Sequence, residues 1–135
     1  MLTIDIATLV RDALKENGCE QVLNNSDLDS HSTIALDLYN LPSIYISNRD
    51  GEVWLWSQLI EHDDRVIEQC STRLLNTLMQ GCHFVRGEQL QLMVSGGYLE
   101  LRGLLKADFL QDSRRFSEAM DGYLEQLERF AELVQ

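Results

Sequence analysis

The sequence predicts a single α+β domain: a twisted antiparallel sheet with three helices, in the order α-β-β-β-α-β-β-α. Three observations predict it. Apolar residues recur at three-to-four spacing in three separate stretches and at a spacing of two in the segments between them. The period-two segments follow one another through short turn-forming pairs, which mark hairpins rather than parallel crossovers. Finally, 135 residues with one proline and eight glycines make one core and leave no low-complexity linker.

The first helix carries Ile6, Leu9, Val10, Ala13 and Leu14 on one face, with Thr3 or Asp5 available as a cap and Gly18 to end it. Residues 21–32 are polar and rich in Asn, Asp and Ser, whose side chains bond to local turn backbone, so they read as a loop. From Thr33 the period becomes two, with Ile34, Leu36 and Leu38 on one row of strand one. Leu41-Pro42 is expected to break the run before strand two, residues 43–47, where Ile44 and Ile46 share one face and Tyr45 takes the other. Asp50-Gly51 tolerates the positive φ of a tight hairpin turn, and strand three runs from residue 52 to about 59.

Strand three is apolar on both rows: Val53, Leu55 and Leu59 on one, Trp54 and Trp56 on the other. A sheet with one wet face needs only one such row, so the two tryptophans call for a cover of their own, within the chain, in a second subunit or in a partner. Asp63 or Asp64 caps the second helix, which carries Val66, Ile67, Cys70, Leu74, Leu75, Leu78 and Met79 over an arc wider than one stripe and ends at Gly81. That surplus suits a two-fold subunit interface. A second hairpin turns at Gly96-Gly97, with Leu90, Leu92 and Val94 before it and Leu99 and Leu101 after it, alternating against Tyr98, Glu100 and Arg102. Asp112 or Ser113 then caps a long terminal helix whose apolar face runs from Phe116 to Val134.

A formal charge of −11 repels phosphate backbones, which bind through Lys and Arg, and nucleic acid is not expected as a partner. No stretch is apolar for long enough to span a bilayer, and residues 1–11 lack a basic region followed by an apolar block, so the expected location is the cytoplasm, without membrane insertion. Cys19, Cys70 and Cys82 match no zinc or thioredoxin spacing and read as reduced thiols.

Asp29-Ser30-His31-Ser32 holds the residue types of a hydrolase triad, but adjacent residues rarely reach triad geometry, and a polar turn is the better reading. Cys82-His83 belongs to no four-ligand set, Asp63 and Asp64 are placed to cap rather than to catalyse, and the glycines form no phosphate loop. No enzyme, metal or cofactor is expected. What remains is spare apolar surface on a small acidic scaffold, which points to a binding protein; an alternative is a generic α+β adaptor or small-ligand-binding dimer with an apolar groove.

The chain resembles class I type III secretion chaperones, specifically the IB subgroup. The resemblance rests on Asp5-Ile6-Ala7, Leu9-Val10-Arg11, Ala13-Leu14 and Gly18-Cys19, then on Leu28-Asp29-Ser30-His31-Ser32-Thr33-Ile34 entering strand one. It continues through Leu41-Pro42-Ser43-Ile44, Val53-Trp54 with Trp56, Gly81-Cys82-His83-Phe84, Arg86-Gly87, Gln89-Leu90, Asp108-Phe109-Leu110 and Phe116. Each match is short, and their colinearity along nearly the whole chain makes the resemblance specific. It implies a cytoplasmic homodimer that holds the N-terminal segments of several secreted effectors in extended form, hydrolyses no ATP itself and releases its clients at the secretion ATPase. Following the family's use of its second helix, self-pairing is expected on Leu74, Leu75, Leu78 and Met79 with Met93 and Tyr98. Client contacts are expected at Ile6, Val10, Ile44, Tyr45, Trp54 and Trp56.

Overall fold

The computed structural model describes residues 6–16 and 33–135. Three helices, α1 (Ile6–Glu16), α2 (Asp64–Met79) and α3 (Ser113–Leu133), accompany five strands: β1 (Ile34–Leu38), β2 (Leu41–Arg49), β3 (Glu52–Glu61), β4 (Gln91–Ser95) and β5 (Tyr98–Leu104). The strands form one sheet in the order β1-β2-β3-β5-β4, every neighbouring pair antiparallel, which leaves β1 and β4 as the edges. The expected element order is the observed one. Short 3-10 helices at Arg86–Glu88 and Ala107–Leu110 precede β4 and α3.

The Leu41-Pro42 step is not a break. The chain turns at Tyr39 and Asn40, where Asn40 takes the left-handed conformation at φ 59°, and β2 begins directly at Leu41. Leu36 faces Ile44 and Leu38 faces Leu41, so Pro42 and Ser43 together oppose the single residue Asp37. The residue with no N–H to donate therefore falls at a bulge, where the ladder is interrupted anyway, and Ser43 Oγ donates to Asp37 Oδ1 at 2.8 Å. Strand three also runs two residues further than expected, past a second bulge between Gln58 and Ile60.

The caps form as their chemistry dictates. The Asp63 carboxylate accepts from the Arg65 N–H at 2.9 Å, and Asp112 accepts from the Arg115 N–H at 2.8 Å, each satisfying an N–H that the first helical turn leaves unpaired. Gly81, at φ +85°, follows the end of α2.

α3 organises the interior. It packs on α1 and α2 and lies across β2 and β3, burying Phe116, Ala119, Tyr123, Leu127 and Phe130 completely. Facing them are Ile46, Val53, Leu55 and Leu101, none exposed. Gly122, in mid-helix, lets the Phe84 ring lie where a side chain would stand: a Cβ there would meet Phe84 Cε2 at 2.6 Å. Tyr123 reaches from α3 into the sheet, its hydroxyl donating to the Leu101 carbonyl at 3.1 Å and hydrogen-bonded with the Ser57 hydroxyl at 2.9 Å.

Candidate functional site

Side chains alternate across each strand, so the residues between those core positions stand on the opposite face of the sheet. Tyr45 faces Trp56 across β2 and β3, Ser47 faces Trp54, Trp56 in turn faces Arg102 of β5, and Trp54 faces Leu104. The result is a patch of aromatic, apolar and charged side chains at the centre of the sheet. It is partly self-covering: the Tyr45 and Trp56 rings stack with centroids 4.4 Å apart and planes 24° apart, and Trp56 Nε1 donates to Ser47 Oγ at 3.0 Å. The Arg102 guanidinium lies over Trp54, 5.1 Å from the ring centroid. Tyr45, Trp54 and Trp56 are half-buried, each keeping part of its ring in solvent.

Within the patch is a cavity of about 240 Å³ lined by Ser47, Arg49, Trp54, Trp56, Ser95, Glu100 and Arg102. A larger hollow of about 520 Å³ lies between the end of α2 and α3, lined by residues including Cys82, His83, Glu88 and Glu125. No chemistry converges there. The Cys82 thiol is pushed up to about 11, chiefly by burial with Glu88 adding to it, against an opposing hydrogen bond from the Phe84 backbone, and is inert near neutrality. His83 is exposed, 4.0 Å from Glu118 and edge-on to Phe84 and Phe109. Among the described residues no group of three or more His, Cys, Asp and Glu side chains could hold a metal ion. The segment 29–32 and Cys19 lie outside the described residues.

Eleven of the twelve residues assigned from sequence separate into three sets. Val10, Ile44 and Leu74 are core, exposed by 1%, 2% and 4% respectively, and are not surface contacts, because their side chains are spent on the chain's own packing. Tyr45, Trp54 and Trp56 meet on the free face of the sheet. Leu75 and Met79 project from α2, exposed by 57% and 60%, while Leu78 is half-buried beside them. Met93 and Tyr98 do not join the α2 group, since both stand on the aromatic face of the sheet. Ile6 opens α1, and its side chain lies outside the described part of the structure.

Sequence reasoning passed over Arg102 and Glu100. Their signal is the alternation in β5, which sets both on one row, but only the β3–β5 register shows that this row adjoins the tryptophans. Val94 was also missed as surface: it stands on the helix side of the edge strand β4 and is exposed by 47%.

No helix among the described residues is long and apolar enough to cross a membrane. The fold is that of type III secretion chaperones. The HopA1–SchA chaperone–effector complex aligns over 93% of this chain and 91% of its own with a TM-score of 0.60 and 18% identity. SycH, a type III secretion chaperone of Yersinia pestis solved with a fragment of YscM2, aligns over 92% and 98% with a TM-score of 0.58 and 8% identity. YbjN, a proposed transcription regulator from E. coli, shares the fold as well, at a TM-score of 0.59 and 11% identity over 99% of this chain and 92% of its own. Fold alone therefore defines a class and not a function.

Sequence narrows the class. The model of the invasion protein B family matches residues 18–96. The surface presentation of antigens protein SpaK of Salmonella typhimurium is 47% identical over 131 residues, covering 97% of this chain and 96% of that protein. The chain belongs to the invasion protein B family.

Proposed function

We propose that the protein is a type III secretion chaperone: a cytoplasmic homodimer that binds the N-terminal chaperone-binding segments of several effectors in extended form and keeps them soluble and secretion-competent. The observation that carries this reading is the aromatic face of the sheet, where Tyr45, Trp54 and Trp56 are only half-buried while Phe84, Phe109, Phe116, Tyr123 and Phe130 are packed inside. Extended segments can bury apolar side chains there, and β1, an edge of the sheet among the described residues, is where a segment can add a strand. Backbone pairing tolerates many sequences while a few pockets select apolar side chains, which allows one surface to serve several clients.

The protein has no catalytic task in this scheme. It keeps the bound segment from folding or aggregating until the secretion ATPase takes over, and no step requires a cofactor. Self-pairing uses the exposed apolar side of α2, Leu75 and Met79 with Leu78, extended by Val94 of the neighbouring edge strand.

The test is co-expression with effector N-terminal segments, followed by size-exclusion chromatography with light scattering. Two copies of this chain per client are expected, and Trp56→Ala in an otherwise folded dimer should weaken the complex at least tenfold, since aromatic anchors dominate such interfaces. A chain that stays monomeric and client-free with every segment would remove the proposal and favour a small-ligand-binding role.

A further inference from the structure

We propose that the cavity on the aromatic face is a carboxylate subsite, in which Arg102 receives an Asp or Glu side chain of the bound client segment. This rests on the reading that the free sheet face takes up clients, and it adds what those clients carry. Arg102 is a cation with no carboxylate hydrogen-bonded to it. Its side chain is 21% exposed and its Nε is buried, yet Nε has no hydrogen-bond partner. Nη1 is directed at Met93 Sδ, 2.9 Å away, and a thioether is a weak acceptor. The nearest carboxylate, Glu100, stands with Oε1 4.0 Å from Nε, within ion-pair range but beyond hydrogen-bond length.

The charge count in the cavity runs the same way. Arg49 and Arg102 line it against the single carboxylate of Glu100, so this spot is locally positive on a protein of formal charge −11. A cationic client residue would meet two guanidiniums. A polyanion would meet the acidic remainder of the molecule. One carboxylate on a peptide balances the cavity and supplies the acceptor that Arg102 lacks, and the planar guanidinium matches a carboxylate edge with two parallel donors. Trp54 holds the guanidinium from below, so little freedom is lost on binding, and Trp56 provides an adjoining wall for an apolar neighbour of the acidic residue.

The chain's only two tryptophans both line this cavity, which makes intrinsic fluorescence a direct probe of its occupancy. The experiment selects binders from a library of random linear peptides on the full-length protein, then titrates each recovered peptide against its counterpart with Asp→Asn or Glu→Gln. The expected result is enrichment of an acidic residue beside apolar ones, with the neutral counterpart binding roughly tenfold more weakly, the size of a lost charge-assisted bond. Arg102→Gln, checked for folding by circular dichroism, should erase that difference and Arg102→Lys should restore only part of it. Glu100→Gln should instead strengthen acidic peptides by removing a like charge, which tests the assignment even where the Arg102 variants fold poorly. Peptides that bind without acidic preference, or a preference that survives in folded Arg102→Gln, would overturn the carboxylate subsite and leave the client-binding reading standing. A library that yields no binder to the wild-type protein would overturn both.

Discussion

Tyr123 shows how a single polar atom can be placed inside an apolar core without cost. Its hydroxyl is buried with the ring, but it hydrogen-bonds with both the Ser57 hydroxyl and the Leu101 carbonyl, so water's hydrogen bonds are replaced rather than lost. Burial pushes its ionisation far above the ordinary tyrosine range, and burial likewise pushes the Cys82 thiol from 9.0 to about 11. Both shifts are upward, so the folded protein holds these protons more tightly than the unfolded chain. The thiol's contribution to stability is whole below pH 9 and is lost as the pH rises through 11, while the phenol's begins to be lost above pH 10 and continues beyond that range. Thermal unfolding followed across this range should show a melting temperature that falls with pH, and Cys82→Ala should flatten the fall between pH 9 and 11; an unchanged slope would locate the alkaline sensitivity elsewhere. In the sequence, position 123 reads only as one more apolar-face residue of the last helix. Its polar role was not legible there, because the partner serine lies 66 residues away.

At the scale of elements, local chemistry was readable and long-range contact was not. Caps at Asp63 and Asp112, the Asp50-Gly51 turn and the Gly96-Gly97 turn stand where side-chain and backbone preferences put them. Leu41-Pro42 reads in the sequence as a break between strands, but the structure absorbs Pro42 as a bulge inside β2, and which outcome occurs depends on the register with β1. Gly122 is the reverse case, a residue that local propensity marks as a defect in a helix. Alanine there would favour the isolated helix by about 1 kcal/mol. In the fold its Cβ would strike the buried Phe84 ring, an overpacking that costs about 1–3 kcal/mol and should win. Urea denaturation of Gly122→Ala should therefore show a lowered midpoint with an unchanged slope, whereas a raised midpoint would mean that Phe84 yields freely.

For the whole molecule, the fold class and the order of all eight main elements follow from periodicity and turn chemistry, and the aromatic face follows from the double apolar row of β3. The candidate contacts were less legible. A row of apolar residues in a sequence does not say which side is packed by the chain itself, and so Val10, Ile44 and Leu74 were placed at the surface while the structure spends them inside. The surface that remains on α2 carries its own prediction. Leu75→Glu with Met79→Glu puts charges on side chains already more than half exposed, so the protomer's fold should survive while light scattering shows a monomer; a dimer that persists would place self-pairing elsewhere. α2 buries only Cys70 and Leu74, against seven residues buried by α3. Its amide protons should accordingly exchange with solvent through local opening at a free energy well below that of global unfolding, while those of α3 report the whole. The chain is thus a firm half, the sheet with α3, carrying a helix that can loosen on its own, and under the proposed self-pairing a second copy would order that helix.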